Sequence, residues 1–464
     1  MRVVVGIDLG STTTKAVVLD EDGKIVGQGI TNSRSNYEVA CAVAREEAIT
    51  STRFSLLERA RAAHPRGAPM QAHMPELHKA FRLELFLEEL NDLRDTMMRE
   101  LDRSLTQRAL RGVLRPAAER ILDRMREEAP AQFLGDAPRR SDFFRDLASA
   151  AFNAGAEEAS RDGSAPFEPL IGLFDRAILQ VETRVVKKET EALLRRAAQR
   201  LPDAVRGTLG EIVVDGSKEP IEEISFVGTG YGRQTLPFPK SAIRSEILCH
   251  GRGAHRRFHG TRTVLDIGGQ DTKGIQVDER GVVTSFQMND RCAAGSGRYL
   301  GYIADELGLG LHELGPLALQ HKRVLKVNST CTVFAGAELR ERLALGQRRE
   351  DVLAGLHRSI MLRAMSIIAR SGGITDEFTF TGGVCKNPMA TAMLRELVAE
   401  NYGGHITINI DPDSIYMGAL GAALFALDDV HEGRPAILPS FVASAAAITP
   451  PIDVESLTAC ATEH

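Results

Sequence analysis

Asp8-Leu9-Gly10-Ser11-Thr12-Thr13-Thr14-Lys15 and Asp266-Ile267-Gly268-Gly269-Gln270-Asp271-Thr272-Lys273 carry one pattern twice. In each copy an aspartate closes an apolar run, glycine with hydroxyl or amide residues follows, and a lysine stands seven positions after the aspartate. The runs upstream, Val3-Val4-Val5-Gly6-Ile7 and Thr263-Val264-Leu265, read as buried strands. Downstream, residues 16–20 and 274–277 read as second strands. Acidic turns follow at Glu21-Asp22-Gly23 and Asp278-Glu279-Arg280-Gly281, and third strands at 24–29 and 282–286. A repeated strand, loop and hairpin predicts an α/β protein with two lobes of like topology.

The residue types in the loops point to phosphate. Glycine lets backbone approach an anion closely, and its N–H groups cradle phosphate oxygens. Gly10, Ser11, Thr12, Thr13 and Lys15 are the expected phosphate ligands of the first copy; Gly268, Gly269 and Lys273 are those of the second. Asp8 and Asp266 are placed to hold a hydrated Mg²⁺, and Gln270 or Asp271 to orient an attacking water. A lone Asp-x-Gly turn is an ordinary hairpin; the duplication, facing one cleft, carries the functional reading. A third glycine turn, Gly382-Gly383, follows strand-like Phe380-Thr381 and suits an adenine ring and ribose. The stretch 413–423, rich in glycine and alanine, reads as a closing helix with tight packing.

Around these motifs the chain is ordinary in composition. It has 464 residues, 43% hydrophobic and 26% charged, which predicts two to four domains and excludes a disordered or fibrous chain. No window approaches the roughly 18 uninterrupted apolar residues of a spanning helix. The N-terminus, with Asp8 interrupting its apolar run, does not read as a signal peptide. A net charge of −5 gives no footprint for nucleic acid or a membrane surface. These features predict a cytoplasmic protein.

Residues 48–212 differ from their flanks, being rich in Arg, Glu, Ala and Leu. Leu83, Leu87, Leu90, Leu93, Met97 and Leu101 recur at helical steps. Breaks fall at 64–69 and 162–166, where glycine and proline cluster. The segment reads as a helical insertion in the first lobe. Strand character is expected again at Ile212-Val213-Val214 and at Ile224-Ser225-Phe226-Val227. The expected units are therefore 1–47 and 213–258 for the first lobe, 48–212 for the insertion, 259–428 for the second lobe, and a tail at 429–464.

Six cysteines are spread along the chain with no C-x-x-C pair, so a disulfide framework is a poor reading. Cys292, in Asn289-Asp290-Arg291-Cys292-Ala293-Ala294-Gly295-Ser296-Gly297-Arg298, and Cys331, in Ser329-Thr330-Cys331-Thr332-Val333-Phe334-Ala335, both enter helices. Free N–H groups and the helix dipole favour thiolate there, the form an iron–sulfur cluster requires. A [4Fe–4S] cluster takes four thiolates, so two chains supplying two each would complete the set. Cys41, Cys249, Cys385 and Cys460 read as buried structural thiols.

The two loops and the glycine turn together resemble the actin, Hsp70 and sugar-kinase superfamily, two ribonuclease-H-like lobes clamping ATP and Mg²⁺. The motifs GIDLGSTTTK, GTGYGR, DIGGQDTK, NDRCAAGSGR, STCTVFA, TGGVCKNP and MGALGAA stand in the order found in the ATP-dependent activator family. That family includes activators of 2-hydroxyacyl-CoA dehydratases and the ATP-hydrolysing subunits of benzoyl-CoA reductase. The resemblance implies that Cys292 and Cys331 ligate a [4Fe–4S] cluster shared with a partner subunit, and that ATP drives low-potential electron transfer.

The insertion resembles the larger ATPase subunit of benzoyl-CoA reductase. That implies a homologous smaller ATPase subunit as partner, two further aryl-CoA-reducing subunits, and ferredoxin as electron donor. A dehydratase activator is the nearest alternative, disfavoured by the insertion. A small-molecule kinase shares the ATP loops but has no use for Cys292 and Cys331. A chaperone or filament module would need a further domain after the second lobe.

Overall fold

The computed structural model describes residues 1–33, 36–103, 110–135, 143–183, 190–230, 238–289, 297–327 and 332–435. Cys292, Cys331, Cys460, Tyr231-Gly232-Arg233 and the tail beyond residue 435 lie outside the described residues.

The expected hairpins are present in both halves. β1 (Arg2–Leu9), β2 (Thr13–Asp20) and β3 (Ile25–Asn32) form an antiparallel meander. Its second turn closes through an Asp20 N–H to Lys24 O bond of 3.0 Å. The helices α1 (Tyr37–Ala63), α2 (Met74–Arg103), α3 (Arg111–Leu134), α4 (Phe144–Arg161), α5 (Phe167–Thr183), α6 (Thr190–Gln199) and α7 (Asp203–Lys218) follow. β4 (Glu222–Gly230) then returns parallel to β1, giving the sheet order β3-β2-β1-β4.

α8 (Glu246–Arg257) leads into the second lobe, where β5 (Thr263–Ile267), β6 (Thr272–Val277) and β7 (Val283–Asn289) repeat the meander. The equivalent turn closes through Asp278 N–H to Val282 O at 2.9 Å. Next come α9 (Gly297–Leu307), α10 (Leu311–Ala318), α11 (Thr332–Ala344), α12 (Arg349–Ser371), β8 (Phe378–Thr381), α13 (Pro388–Tyr402), β9 (Ile408–Ile410) and α14 (Met417–His431). The second sheet runs β7-β6-β5-β8-β9, so strand order and direction match the first sheet through its first four strands.

Two helices exchange lobes. α8 leaves β4 but packs on the second sheet, where Gly251 meets Val277 and Val283. α14 leaves the second lobe and packs on the first, where Gly6 of β1 abuts the backbone of Ala419 and Ala423. The two helices cross in contact, and their small residues join both sheets in one shared core with Val4, Val17, Val264 and Ile275. Each buried Val or Ile there is worth roughly 1.5–3 kcal/mol over its exposed state.

The insertion builds two cores of its own. Leu83, Leu90, Leu93, Met97 and Leu101, from the expected stripe on α2, pack with α3, α4 and α5. A second cluster ties α1, α2, α6 and α7 through Leu57, Leu77, Leu194 and Leu209. The expected breaks hold: α1 ends at Ala63, and α4 and α5 flank residues 162–166. The expected strand at Ile212-Val213-Val214 is corrected, because these residues lie inside α7. Val205, Leu209, Ile212 and Gly216 are buried there at helical spacing, and burial of that face outweighs the β preference of three branched residues. α12 has the length and apolar content of a membrane span, yet most of it is buried, within the core of the second lobe.

Candidate active site

β1 and β5 both end at the cleft between the lobes, which brings Asp8 (3% exposed) and Asp266 (1% exposed) to its floor. In each lobe the antiparallel register sets the lysine directly opposite the aspartate: Asp8 faces Lys15, and Asp266 faces Lys273. The seven-position interval in the sequence is thus the span of a tight hairpin. The two lysines nevertheless differ. Lys15 Nζ stands 4.0 Å from Asp8 Oδ2 and lines the cleft. Lys273, 1% exposed, is held by Asp271 Oδ1 at 2.8 Å, Glu246 Oε1 at 2.9 Å and Asp266 Oδ2 at 3.2 Å. Its three N–H bonds are matched by three carboxylates.

The electrostatics follow from that crowding. Burial alone would lower the Lys273 ammonium, but Asp266, Glu246 and Asp271 together hold it well above its usual value. Burial works against ionised Asp266 as well; His250 and Lys273 win and hold it far below the carboxylate range. Thr381 Oγ1 adds a 2.8 Å hydrogen bond to Asp266 Oδ1. Glu246, one turn before His250 on α8, is raised by burial, with Lys273 and His250 opposing. Burial favours the neutral His250 ring, but Asp266 outweighs it and raises its proton affinity.

Four carboxylates, Asp8, Glu246, Asp266 and Asp271, share this floor with two ammonium groups, Lys15 and Lys273. The excess negative charge suits a divalent cation. Asp8 Oδ1 is buried with no hydrogen-bond partner among the described residues, and oxygens of Asp8 and Glu246 lie within 4.8 Å of a His250 ring nitrogen. The residues present therefore fit a cation.

The cleft above has a volume of about 990 Å³, enough for a nucleotide. Gly10, Ser11, Thr12 and Thr13 line one side, and Gly268, Gly269 and Asp271 the other. The loops touch: a Cβ at Gly269 would run into Thr12 Oγ1. Gly382 and Gly383 line the far end as expected. Gly382 has φ +86°, and a side chain there would run into Ile267 O. Gly230 stands at the matching end of β4, with φ +130° and Leu9 O in the same position. The chain leaves both sheets by a backbone that only glycine adopts freely.

Beyond Gly383, Asn387 is fixed at the cleft wall. Its Oδ1 accepts from Met389 and Ala390 N–H at 3.0 Å each, capping α13, and its Nδ2 donates to His357 Nε2 at 3.0 Å. His357 Nδ1 in turn donates to Leu353 O at 2.7 Å. α9 presents Arg298, Gly301, Tyr302 and Asp305 to the cleft at helical steps. Its first two N–H groups, of Gly297 and Arg298, donate to Gly268 O and Gly269 O, both at 2.8 Å. The Gly268-Gly269 loop is therefore bonded to the helix that follows the Cys292 segment.

Gln270 is half-buried and does not line the cleft, whereas Asp271 lines it with one oxygen committed to Lys273. Sequence reading missed Glu246, His250, Thr381 and Asn387. A Glu-x-x-x-His step on a helix was the available signal for the first two. Cys41, Cys249 and Cys385 are buried. Burial pushes the Cys249 and Cys385 thiols up to about 12 and Cys41 higher still, so none is a thiolate at neutral pH.

The profile of the BadF/BadG/BcrA/BcrD ATPase family matches residues 5–426. The chain belongs to this ATPase family. Two kinds of relative stand out. It is 39% identical over 215 residues to the (R)-2-hydroxyglutaryl-CoA dehydratase activating ATPase of Acidaminococcus fermentans, covering 46% of this chain and 80% of that protein. It is 32% identical over 257 residues to a subunit of the benzoyl-CoA reductase of Thauera aromatica, covering 54% of this chain and 89% of that one. Among solved structures, the Acidaminococcus fermentans (R)-2-hydroxyglutaryl-CoA dehydratase component A aligns at 22% identity with a TM-score of 0.49, covering 93% of this chain and 100% of that chain.

Proposed function

We propose that this ATPase is the [4Fe–4S]-carrying, ATP-hydrolysing subunit of an ATP-dependent aryl-CoA reductase of the benzoyl-CoA type. The observation that carries the reading is the bond between α9 and the second phosphate loop. It joins the nucleotide cleft to the segment that holds Cys292. In this reading Asp8 and Asp266 hold Mg²⁺ on the nucleotide, Lys15 and the N–H groups of both loops bind its phosphates, and Gly382-Gly383 border its adenosine. Glu246 and Asp271 are the carboxylates available to orient water.

The cluster would supply one-electron transfer at low potential. Cys292 and Cys331 would hold it with two thiolates of a homologous, smaller ATPase subunit. α11 begins at Thr332, directly after Cys331, which supports thiolate character there, and α9 begins at Gly297, five residues beyond Cys292. The three described cysteines, Cys41, Cys249 and Cys385, are buried neutral thiols unsuited to that role. Ferredoxin is the donor and two aryl-CoA-reducing subunits the acceptors, in the cytoplasm, where thiols stay reduced.

A dehydratase activator is the second reading, favoured by the higher identity to that relative, 39% against 32%. Anaerobic purification with partners from the native host separates the two. Reduction of benzoyl-CoA with ATP consumption supports the first; activation of a 2-hydroxyacyl-CoA dehydratase instead of ring reduction replaces it with the second. Cys292→Ser or Cys331→Ser should abolish the [4Fe–4S] paramagnetic signal while nucleotide still binds. A full cluster in either variant would refute the ligand assignment.

A further inference from the structure

We infer that His250 is a positioning residue for ATP hydrolysis that joins the two lobes, setting the spacing between Asp8 of the first and Asp266 of the second. The inference rests on the ATPase reading of the cleft. His250 belongs to α8, the helix that connects the lobes. Its ring is 5% exposed and stands between the two carboxylates: Nδ1 is 3.3 Å from Asp266 Oδ1, and Nε2 is 3.9 Å from Asp8 Oδ2. Each ring nitrogen thus faces the aspartate of a different lobe.

The contacts are incomplete in this arrangement. Nδ1 lies close to Asp266 but out of line for a hydrogen bond, and both it and Asp8 Oδ1 are buried without hydrogen-bond partners among the described residues. A buried polar atom left unpaired costs about 1–3 kcal/mol. Because α8 packs on the second sheet, a small rotation of the first lobe on the second would move Asp8 toward or away from Nε2, so the ring favours one separation of the aspartates. The other charged neighbours are Glu246 Oε1, 3.9 Å from Nε2, and Lys273, which is already saturated by three carboxylates.

The site is also closed from α14. Gly418 passes so near that a Cβ would lie 2.7 Å from Asp8 Oδ2 and 2.8 Å from His250 Nε2. A side chain at position 418 therefore has no room beside the ring. Asp266 is also held by Thr381 and Lys273, whereas Asp8 Oδ1 has no hydrogen-bond partner among the described residues. The position of Asp8 relative to the second lobe therefore depends on His250 more than that of Asp266 does.

The test compares His250→Phe, which keeps a ring without a donor, with His250→Gln, which keeps an N–H near the Nε2 position. ATPase rates give kcat and KM, and Mn²⁺ paramagnetic resonance on the ADP complex reports the cation site without turnover. The Phe variant should lose about 30- to 100-fold in kcat, the scale of a misplaced reacting group, with KM for ATP within about threefold of wild type. Its Mn²⁺ affinity should fall about tenfold, and the Gln variant should recover most of both losses. Thermal unfolding checks each fold, and His250→Asn, whose amide is shorter, replaces Phe if that variant does not fold.

Wild-type kcat and Mn²⁺ affinity in the folded Phe or Asn variant would overturn this inference alone. So would a loss confined to KM, or a Gln variant as impaired as Phe. Absence of ATP hydrolysis by the wild-type chain would overturn both this inference and the reading of the cleft.

Discussion

Lys15 and Lys273 occupy the same place in a repeated sequence and do different work. Lys15 opens to the cleft; Lys273 is sealed among three carboxylates. Removing Lys273 leaves buried negative charge uncompensated, so Lys273→Met should cost about 3–5 kcal/mol of stability in denaturant titration. Lys15→Ala, which removes an amine with one carboxylate at 4.0 Å, should cost less stability than Lys273→Met. Along with Asp8→Asn and Asp266→Asn, it should lower ATP turnover about a hundredfold or more, the scale of one strong contact to developing charge. Equal stability losses for the two lysines would contradict the distinction. The loop residues were legible in the sequence because glycine and aspartate at fixed spacing carry their own chemistry. The difference between the lysines was legible only in part: Asp271 stands in the second loop where Thr13 stands in the first, but Glu246 comes from a helix that the loop sequence does not show.

His357 makes a second residue-scale case. Burial pushes its proton affinity down to about 4, against an unfolded value near 6.5. A base depressed in the folded state binds fewer protons than the unfolded chain between these values. Its contribution to stability is intact above pH 6.5 and is lost as pH falls toward 4, by about 3 kcal/mol at most. Melting temperature should therefore drop more steeply from pH 7 to 5 in wild type than in His357→Gln. Parallel curves would show that the ring is hydrated or that its bond to Asn387 is not maintained.

At the scale of elements, the hairpins and the long stripe of α2 were readable because each has a period of its own. α7 was misread over Ile212-Val213-Val214 because three branched residues in a row have no period until Val205, Leu209 and Gly216 are counted with them. α8 was invisible as a functional element, since its role is fixed by which sheet it lands on. Its crossing with α14 depends on bare backbone: a Cβ at Gly421 would run into Cys249 O. Gly421→Ala should destabilise the protein by about 1–3 kcal/mol, the usual cost of overpacking. Because this crossing joins the lobes, the variant should also raise the protease sensitivity of both. Unchanged stability would mean that the helices can part without cost.

The whole molecule poses the question of how ATP would act on the proposed cluster. The segment 290–296, with Cys292, connects β7 to α9, and α9 is bonded through two N–H groups to the loop that would carry the γ-phosphate. A change in that loop on hydrolysis must therefore stretch those bonds or move α9. Nucleotide can shift the balance between lobe arrangements only by as much as it prefers one of them. Each ~60 mV of one-electron potential corresponds to about 1.4 kcal/mol, within the range of ordinary coupling energies. The cluster's potential and its rate of loss to chelators should accordingly differ among the ATP, ADP and nucleotide-free states of the complex. Arg298→Pro removes one of the two N–H donors at a helix position where proline is tolerated. Compared with Arg298→Ala, which removes only the side chain, it should shrink those differences while nucleotide affinity stays the same as in the alanine variant. Anaerobic redox titration and iron-chelation kinetics measure both. Identical values in all three states would detach the cluster from the lobes and place the action of ATP at a later step, in the partner subunits.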